Sequence, residues 1–158
     1  MKQSIVLKFC KNSSDFEIAK SIAHDYLQWL NLDLSFQNIE NEFKDFNHIY
    51  GSPQGVFIIA EVAGEIVGGV GARRLNDEIC EMKRLFVYEP YRGLGIAKKI
   101  CEELFVLTRS LSFKKMRLDT IPRLNSANLL YEKLGFIDIL PYCDNPLLGA
   151  RYMEIDIL

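Results

Sequence analysis

The hydrophobic positions of the chain follow two different periods, and the change between them predicts its elements. A short β-prone run at residues 5–9 precedes two segments whose apolar residues recur three and four positions apart, the spacing of amphipathic helices. The middle of the chain changes to β-prone runs separated by short turn candidates, at residues 56–62, 65–73 and 79–87. These three runs predict an antiparallel meander.

Local signals indicate where some of these elements begin. Ser14, with Glu17 three positions later, has the spacing of a capping box and predicts the start of the first helix. Ser35 is a candidate cap for a second helix. The apolar face of that helix is Phe36, Ile39, Phe43 and Phe46. In the second meander strand, a group of glycines predicts a bulge or a close approach of backbone, at Gly68, Gly69 and Gly71.

The second half of the chain alternates between strands and helices. Pro90 ends the strand at residues 79–87, and a helix with a regular apolar face begins at Gly93. A strand, helix and strand in this order predict a parallel pair with a right-handed crossover. The chain is therefore predicted to be α+β with a mixed sheet. The later elements are a strand at 115–120, a helix that ends at Gly135, and strands at 136–140 and 151–157.

Length and composition exclude several classes of protein. The chain has 158 residues, the length of one domain, and we expect a single domain over residues 1–158. A net charge of −2 gives no general attraction to nucleic acid or anionic membranes, and no apolar run approaches the ~20 residues of a membrane span. The four cysteines form neither a zinc motif nor a disulfide framework. We therefore expect no metal and a cytoplasmic location.

A turn containing two glycines, at residues 92–97, opens the helix after the third meander strand. The first backbone N–H groups of a helix lack internal partners, and the helix dipole adds positive charge there, so this position suits pyrophosphate. The glycines permit close approach, and Arg92 adds a forked cation. The chain contains no Walker A sequence, and Lys98 stands where a dinucleotide fingerprint requires glycine. The turn therefore predicts a phosphate site of another kind.

Two motifs resemble those of the GNAT N-acetyltransferase superfamily. Residues 92–97 match R-x-x-G-x-A, one form of its acetyl-CoA-binding motif Q/R-x-x-G-x-G/A, and residues 130–136 match its second landmark as L-Y-E-K-L-G-F. The resemblance is clearest over residues 57–136. It implies the GNAT acyl-CoA N-acyltransferase fold, with a mixed, mostly antiparallel sheet of about six to seven strands flanked by about four helices. It also implies acetyl-CoA as the acyl donor.

The resemblance further implies where acetyl-CoA binds. Backbone amides of residues 93–97 hold the pyrophosphate, and the preceding strand splays from its parallel neighbour, so its unpaired groups bond the pantetheine. The alternative for that strand is an ordinary central strand. Asn125 is a further candidate, displaced by one position because Leu124 stands where many relatives have asparagine. The predicted cofactor-binding residues are Leu85, Phe86, Val87, Arg92, Gly93, Leu94, Gly95, Ile96, Ala97 and Asn125.

Two side chains are implied to be catalytic. Tyr131 is the implied general acid, because a phenol with an ordinary pKa of ~10 stays protonated at pH 7 and can protonate a leaving thiolate. Glu81 is the implied general base, and its alternative role is a surface charge paired with Lys83 or Arg73. Asp119 is a second candidate base, and a site without a dedicated base also stays open.

The sequence does not identify the acceptor. Arg73 and Arg74 either bind a substrate carboxylate or close a hairpin. The loop at residues 141–149 carries polar side chains that we expect to face the substrate, namely Tyr142, Asp144 and Asn145.

The predicted function is an acetyl-CoA-dependent N-acetyltransferase. It moves an acetyl group to a primary amine of a small molecule, an amino acid or a peptide, by direct attack in a ternary complex. A covalent route through Cys101 is disfavoured, because a cysteine beside a helix's core face usually only packs. The alternative is a non-enzymatic acyl-CoA-binding sensor or regulatory module. Family members often dimerise, so a homodimer is an expectation from the resemblance alone.

Overall fold

The computed structural model describes residues 4–157. Its strands are β1 (Ile5–Phe9), β2 (Gly55–Val62), β3 (Glu65–Arg74), β4 (Ile79–Val87), β5 (Lys115–Thr120), β6 (Ile137–Asp138) and β7 (Arg151–Asp156). Its helices are α1 (Ser13–Leu30), α2 (Ile39–Lys44), α3 (Phe46–Ile49), α4 (Ile96–Ser110) and α5 (Asn125–Leu134). Short 3-10 helices cover Ser35–Gln37 and Glu89–Tyr91.

The strands form one seven-stranded sheet in the order β1-β2-β3-β4-β5-β7-β6. β4 and β5 are parallel, as the crossover predicted, and the other neighbouring pairs are antiparallel. The predicted α+β class and mixed, mostly antiparallel sheet are therefore confirmed. The second predicted helix is divided, which raises the number of α-helices to five.

The first helix begins differently from the prediction. Asn12 is its N-cap, and the Asn12 side chain accepts a hydrogen bond of 2.9 Å from the backbone N–H of Asp15. The predicted capping box at Ser14 and Glu17 is wrong, because Ser14 already lies inside the helix. Asparagine caps helices at least as well as serine, so the upstream residue takes the position.

The second predicted helix is interrupted at two residues. Ser35 begins a 3-10 helix without a capping side-chain bond, so the predicted cap is wrong. Asn38 then adopts a left-handed conformation with φ of 54°, which asparagine tolerates better than most residues, and the chain turns into α2. Asp45 separates α2 from α3, because its backbone is also non-helical although it is not left-handed. The apolar spacing was thus correct, while the polar residues between the apolar ones divide the helix.

The last hairpin is shorter than predicted. Gly135 ends α5 with φ of 107°, as predicted. The next residue, Phe136, donates its N–H to the carbonyl of Tyr131 at 3.0 Å, so this group serves the helix cap and not the sheet. β6 therefore begins one residue later than predicted and is only two residues long.

Helices cover both faces of the sheet. α4 packs on β2 and β3, and its predicted apolar stripe is buried at Ile96, Ile100 and Leu104. On the opposite face α1 and α3 pack over β2, where Ile22 and Phe46 are fully enclosed. β4 lies in the middle of the sheet with both faces covered, and the chain becomes exposed in the turn that follows it.

The glycines of β3 allow close packing, as predicted. A Cβ at Gly68 would lie 2.4 Å from the carbonyl oxygen of Phe86, and one at Gly71 would lie 2.6 Å from the ring of Tyr50. Between Gly69 and Gly71 the register shifts, so that two residues of β4 oppose one residue of β3. Arg84 is one of these two β4 residues, and its φ of 64° is left-handed. β4 therefore contains a bulge that changes its direction.

This bulge coincides with a gap in the sheet. β4 and β5 pair through three residues each, Ile79, Cys80 and Glu81 with Lys115, Met116 and Arg117. Beyond these pairs the strands separate. Over residues 82–87, the side of β4 that faces β5 has no partner strand in the part of the chain that the structure describes.

Candidate active site

The turn at residues 92–97 is built around two left-handed glycines. Gly93 has φ of 78° and Gly95 has φ of 79°, a region that residues with a Cβ rarely occupy. A Cβ added at either position would meet no atom within 4 Å. The space beside the turn is therefore open and bordered by the N-terminus of α4, which begins at Ile96. Such a cradle fits a phosphate group.

Arg92 connects this turn to the end of β4. Its Nε donates a 2.7 Å hydrogen bond to the carbonyl oxygen of Val87. Its guanidinium lies over the ring of Trp29, 4.8 Å from the centroid, and 5.4 Å from that of Phe86. These contacts fix the cation beside the cradle. The sequence analysis missed Trp29, because nothing in the pattern of α1 relates this half-exposed residue to a turn sixty positions later.

The open edge of β4 leads directly into this cradle. Leu85, Phe86 and Val87 form the last part of the unpaired edge, and Val87 is joined to Arg92. Unpaired backbone groups in a covered strand need hydrogen-bond partners, and the amides of a pantetheine chain supply them. The geometry therefore fits an extended, amide-containing ligand that ends in phosphates.

α5 carries Tyr131, which belongs to the same buried cluster as Val87 of β4 and Leu118 of β5. Tyr131 is buried, and its hydroxyl makes no hydrogen bond among residues 4–157. Burial raises the pKa of Tyr131 well above its ordinary value, and the nearby Asp119 acts in the same direction. The phenol therefore keeps its proton at neutral pH, as a general acid requires.

Asn128 attaches α5 to the end of β5. Its Oδ1 accepts a 2.7 Å hydrogen bond from the hydroxyl of Thr120, and its Nδ2 donates one of 2.9 Å to the carbonyl of Ile121. The sequence analysis missed this residue, although a polar side chain beside the apolar stripe of α5 was a signal. The predicted ligand Asn125 is instead exposed, at the first position of α5.

Glu81 is the centre of a buried polar cluster. It is 2% exposed and lies on the last β4 residue that pairs with β5. Its Oε1 accepts a 2.9 Å hydrogen bond from Nε of Arg73, and its Oε2 accepts one of 2.6 Å from the hydroxyl of Tyr142. The alternative of a surface charge is wrong in its exposure, because the carboxylate is buried, although the pairings that it named, with Arg73 and Lys83, are both present.

Asp119 joins the same cluster from β5. Its Oδ2 accepts a 2.9 Å hydrogen bond from Nδ2 of Asn145. One ligand atom each from Glu81, Asp119 and Cys143 lies within 4.8 Å of the others. Each oxygen of Glu81 accepts one hydrogen bond from the protein and keeps a second lone pair for a further donor. Two of the three loop residues expected at the substrate, Tyr142 and Asn145, thus reach the two carboxylates.

A second ion pair holds α2 against the bulge of β4. Arg84 donates to both oxygens of Glu42, at 2.5 and 3.2 Å, and to Oε1 of Gln37 at 2.8 Å. The hydroxyl of Tyr50 also donates to Glu42, at 2.7 Å. The sequence analysis missed this network. It holds the left-handed Arg84 in place and connects an N-terminal helix with the strand beside the gap.

The remaining candidates have simpler surroundings. Arg74 donates to the carbonyl of Asn76 at 3.4 Å and lies 3.8 Å from a carboxylate oxygen of Asp77, so it helps to close the hairpin between β3 and β4. Burial raises the pKa of the Cys101 thiol to about 12, which leaves it protonated and poorly nucleophilic. The pKa of Cys143 is raised to about 11, first by burial and then by Asp119. Asp144 is exposed.

Comparisons with known proteins agree with this geometry. Residues 23–136 match the Acetyltransferase (GNAT) family, and the chain belongs to this family. An uncharacterized N-acetyltransferase of Schizosaccharomyces pombe is 32% identical over 160 residues, which cover 99% of this chain and 98% of that protein. The chain is accordingly an N-acetyltransferase, and its family uses acetyl-CoA.

Solved structures confirm the fold. A GNAT-family acetyltransferase from Staphylococcus aureus superposes with a TM-score of 0.76 at 23% identity, covering 97% of this chain and all of that one. The structure of yncA from Salmonella typhimurium, solved with its cofactor acetyl-CoA, gives a TM-score of 0.68 at 14% identity and covers 97% and 94% of the two chains. The predicted superfamily, fold and enzyme class are therefore confirmed. Within residues 4–157, the structure has no helix that is both long and apolar enough to cross a membrane.

Proposed function

We propose that one domain over residues 1–158 transfers an acetyl group from acetyl-CoA to a primary amine, by direct attack in a ternary complex. The observation that carries this proposal is the continuity of the site. The unpaired edge of β4 at residues 82–87 leads into the glycine cradle at the start of α4. One extended ligand with amides and phosphates satisfies both.

The cofactor would be held mainly by backbone. Amides of residues 93–97 would bind its pyrophosphate, with Arg92 as a neighbouring cation. Backbone groups of Leu85, Phe86 and Val87 would bind its pantetheine. A direct contact from Asn125 is the weakest part of the predicted set, because this side chain is exposed at the start of α5 and Leu124 is the N-cap.

The chemistry requires the nitrogen to lose two protons and the sulfur to gain one. Bound acetyl-CoA supplies an electrophilic thioester carbon. Glu81 takes a proton from the substrate ammonium, directly or through water, so that the nitrogen can form the new C–N bond. A backbone amide of Leu85 or Phe86 donates to the thioester oxygen. Tyr131 would donate the proton of its phenol oxygen to the sulfur as the C–S bond breaks. The nitrogen then loses its second proton, and a proton from solvent restores the phenol.

Calorimetric titration tests the cofactor. We expect micromolar binding of acetyl-CoA and CoA, and weaker binding of ATP and NAD, which lack pantetheine. Equal binding of ATP, or no binding of acetyl-CoA, would refute the proposal.

A thiol-release assay across a panel of amines tests the reaction. Release of CoA that depends on the amine supports the enzyme. Tight acetyl-CoA binding without release for any amine would support the alternative, a non-enzymatic acyl-CoA sensor. The protonated Tyr131 and the buried Glu81 favour the enzyme over the sensor.

Location and assembly complete the proposal. The cysteines of the described chain are free thiols, the state that a reducing cytoplasm maintains, and the cytoplasm is our proposed location. A homodimer is supported by the family resemblance alone, and sedimentation of the purified protein tests it.

A further inference from the structure

Lys83 is a buried cation beside the predicted base. It lies two residues after Glu81 on β4 and is 8% exposed. Its Nζ is 3.9 Å from Oε1 of Glu81, which is an ion pair but too long for a hydrogen bond. Within residues 4–157 this ammonium makes no hydrogen bond to protein. Among residues 4–157 no side-chain nitrogen or oxygen is both fully buried and without a hydrogen-bond partner, so Nζ keeps some contact with accessible space, where an anion can bind its three donors.

The neighbouring charges are already engaged. Arg73 donates to Glu81, and Arg84 is held by Glu42 and Gln37. Glu81 accepts at both oxygens from other groups. Within residues 4–157 the three donors of Lys83 all lack a protein acceptor, whereas Arg73 already uses its Nε for Glu81, so Lys83 has the donors to bind an anion beside Arg73. Burial lowers the pKa of Lys83, and the charge of Glu81 opposes this only in part, so a further anion would stabilise the ammonium.

The cluster is neutral without a substrate. Three carboxylates and three cations interact around the gap, and Asp119 also acts on Lys83 through its charge. A substrate with net charge would leave one charge unbalanced in a largely buried site, which is unfavourable. A substrate with one amine and one carboxylate keeps the balance. The six groups are Glu42, Glu81, Asp119, Arg73, Lys83 and Arg84.

We propose that the acceptor is an amino acid with a free carboxylate, which Lys83 binds while its amine lies between Glu81 and Asp119. One oxygen of Glu81 and one oxygen of Asp119 lie within 4.8 Å of each other. An ammonium placed between them can donate a hydrogen bond to each. Lys83 approaches Glu81 to 3.9 Å, so the two substrate groups are held side by side, as in a small amino acid.

The loop between β6 and β7 supports a small acceptor. Tyr142 and Asn145 donate hydrogen bonds to Glu81 and Asp119, so this loop lies against the carboxylate pair and limits the space for an acceptor. A lysine side chain of a protein, or a protein N-terminus, brings no carboxylate next to its amine. These acceptors would leave Lys83 without its anion. This inference rests on the proposed N-acetyltransferase function and specifies its substrate class.

The test compares amino acids with their methyl esters. Each pair has the same amine and side chain, but the ester lacks the anion. With the wild-type protein and saturating acetyl-CoA, we expect kcat/KM to be at least ten-fold higher for the best free amino acid than for its ester. Lys83→Met should raise KM for the free acid roughly ten- to hundred-fold, the effect of losing one charge-assisted hydrogen bond, and should leave KM for the ester within a factor of three.

Two further variants make the test specific. Lys83→Arg keeps the cation and should recover most of the preference for the free acid. Lys115→Met removes a lysine from the neighbouring strand that already pairs with Glu154 and Asp156, and should leave both KM values unchanged. Unaltered acetyl-CoA binding by Lys83→Met shows that the variant folds.

The outcomes separate the two proposals. Equal use of acids and esters by the wild type, or an equal loss for both with Lys83→Met, would refute the role of Lys83 while the N-acetyltransferase stands. Acetylation of no amine at all would refute the proposed function, and this inference with it.

Discussion

Replacing Gly95 by alanine adds one methyl group, which should have two effects on the protein. The first is backbone strain, because φ at Gly95 is 79° and the new residue would be left-handed. The second is occupation of the cradle, because the added Cβ would enter space that no protein atom approaches within 4 Å. Only the second effect depends on the proposed phosphate site.

Gly64 provides a matched control. It lies in the turn between β2 and β3, has φ of 81°, and would also place its Cβ in open space. Both substitutions should therefore cost the same strain, roughly 1–2 kcal/mol. For a domain of this size that lowers Tm by about 2–8 °C in each variant. Only Gly95→Ala should also weaken acetyl-CoA binding, by at least about ten-fold or ~1.4 kcal/mol.

Two measurements on each variant are sufficient. Thermal melting without ligand should show equal losses for Gly95→Ala and Gly64→Ala. Calorimetric titration with acetyl-CoA should show a wild-type dissociation constant for Gly64→Ala and a raised one for Gly95→Ala. Equal dissociation constants for the two variants would mean that the methyl group meets no phosphate, and the turn would not be the cradle.

Other groups of the site give further tests. Tyr131→Phe should lower kcat roughly hundred- to ten-thousand-fold with acetyl-CoA affinity kept, and unchanged turnover would remove this phenol from the mechanism. Glu81→Gln should move the acidic limb of the kcat–pH profile, and an unmoved limb would identify another base, with Asp119 the next candidate. Burial raises the pKa of Glu42, but Arg84, Tyr50 and Lys83 together lower it more, so the folded carboxylate has a pKa below its ordinary value. Its stabilisation is present above that ordinary value and is lost as pH falls through the folded one, below about pH 4. Glu42→Gln should therefore cost about 3–5 kcal/mol at pH 7 by leaving Arg84 unpaired, and less at pH 3, as urea unfolding at both pH values would show.

The elements that were predicted correctly are those with strong local signals. β4 and β5 have their predicted bounds, because their β-prone runs end at a proline and at turn residues. The turn at residues 92–97 was found because its chemistry is contained in six consecutive residues. A local signal also misled: the spacing of Ser14 and Glu17 predicted the start of the first helix, whereas Asn12 is its cap.

The parts that could not be predicted depend on partners distant in sequence. Arg84 and Glu42 are separated by 42 positions and meet only because α2 packs against the bulge of β4. Lys83 and Arg84 interrupt an apolar strand, and a sequence pattern suggests solvent for such residues, whereas both are buried. The surroundings of Glu81 likewise come from three separate strands and a loop.

Because β4 and β5 pair over only a short length, the packing at these pairs controls the angle between the two strands beyond them. The sheet is joined across the gap by three residue pairs, and Cys80 and Met116 form the middle pair with no solvent exposure. Glu81 belongs to the last of these pairs, whereas Asp119 lies further along β5, where the two strands separate. A change in side-chain volume at the middle pair would alter the angle between β4 and β5, and with it the separation of the two carboxylates. We therefore expect substitutions at Cys80 or Met116 to change the choice of acceptor, although both residues are fully buried.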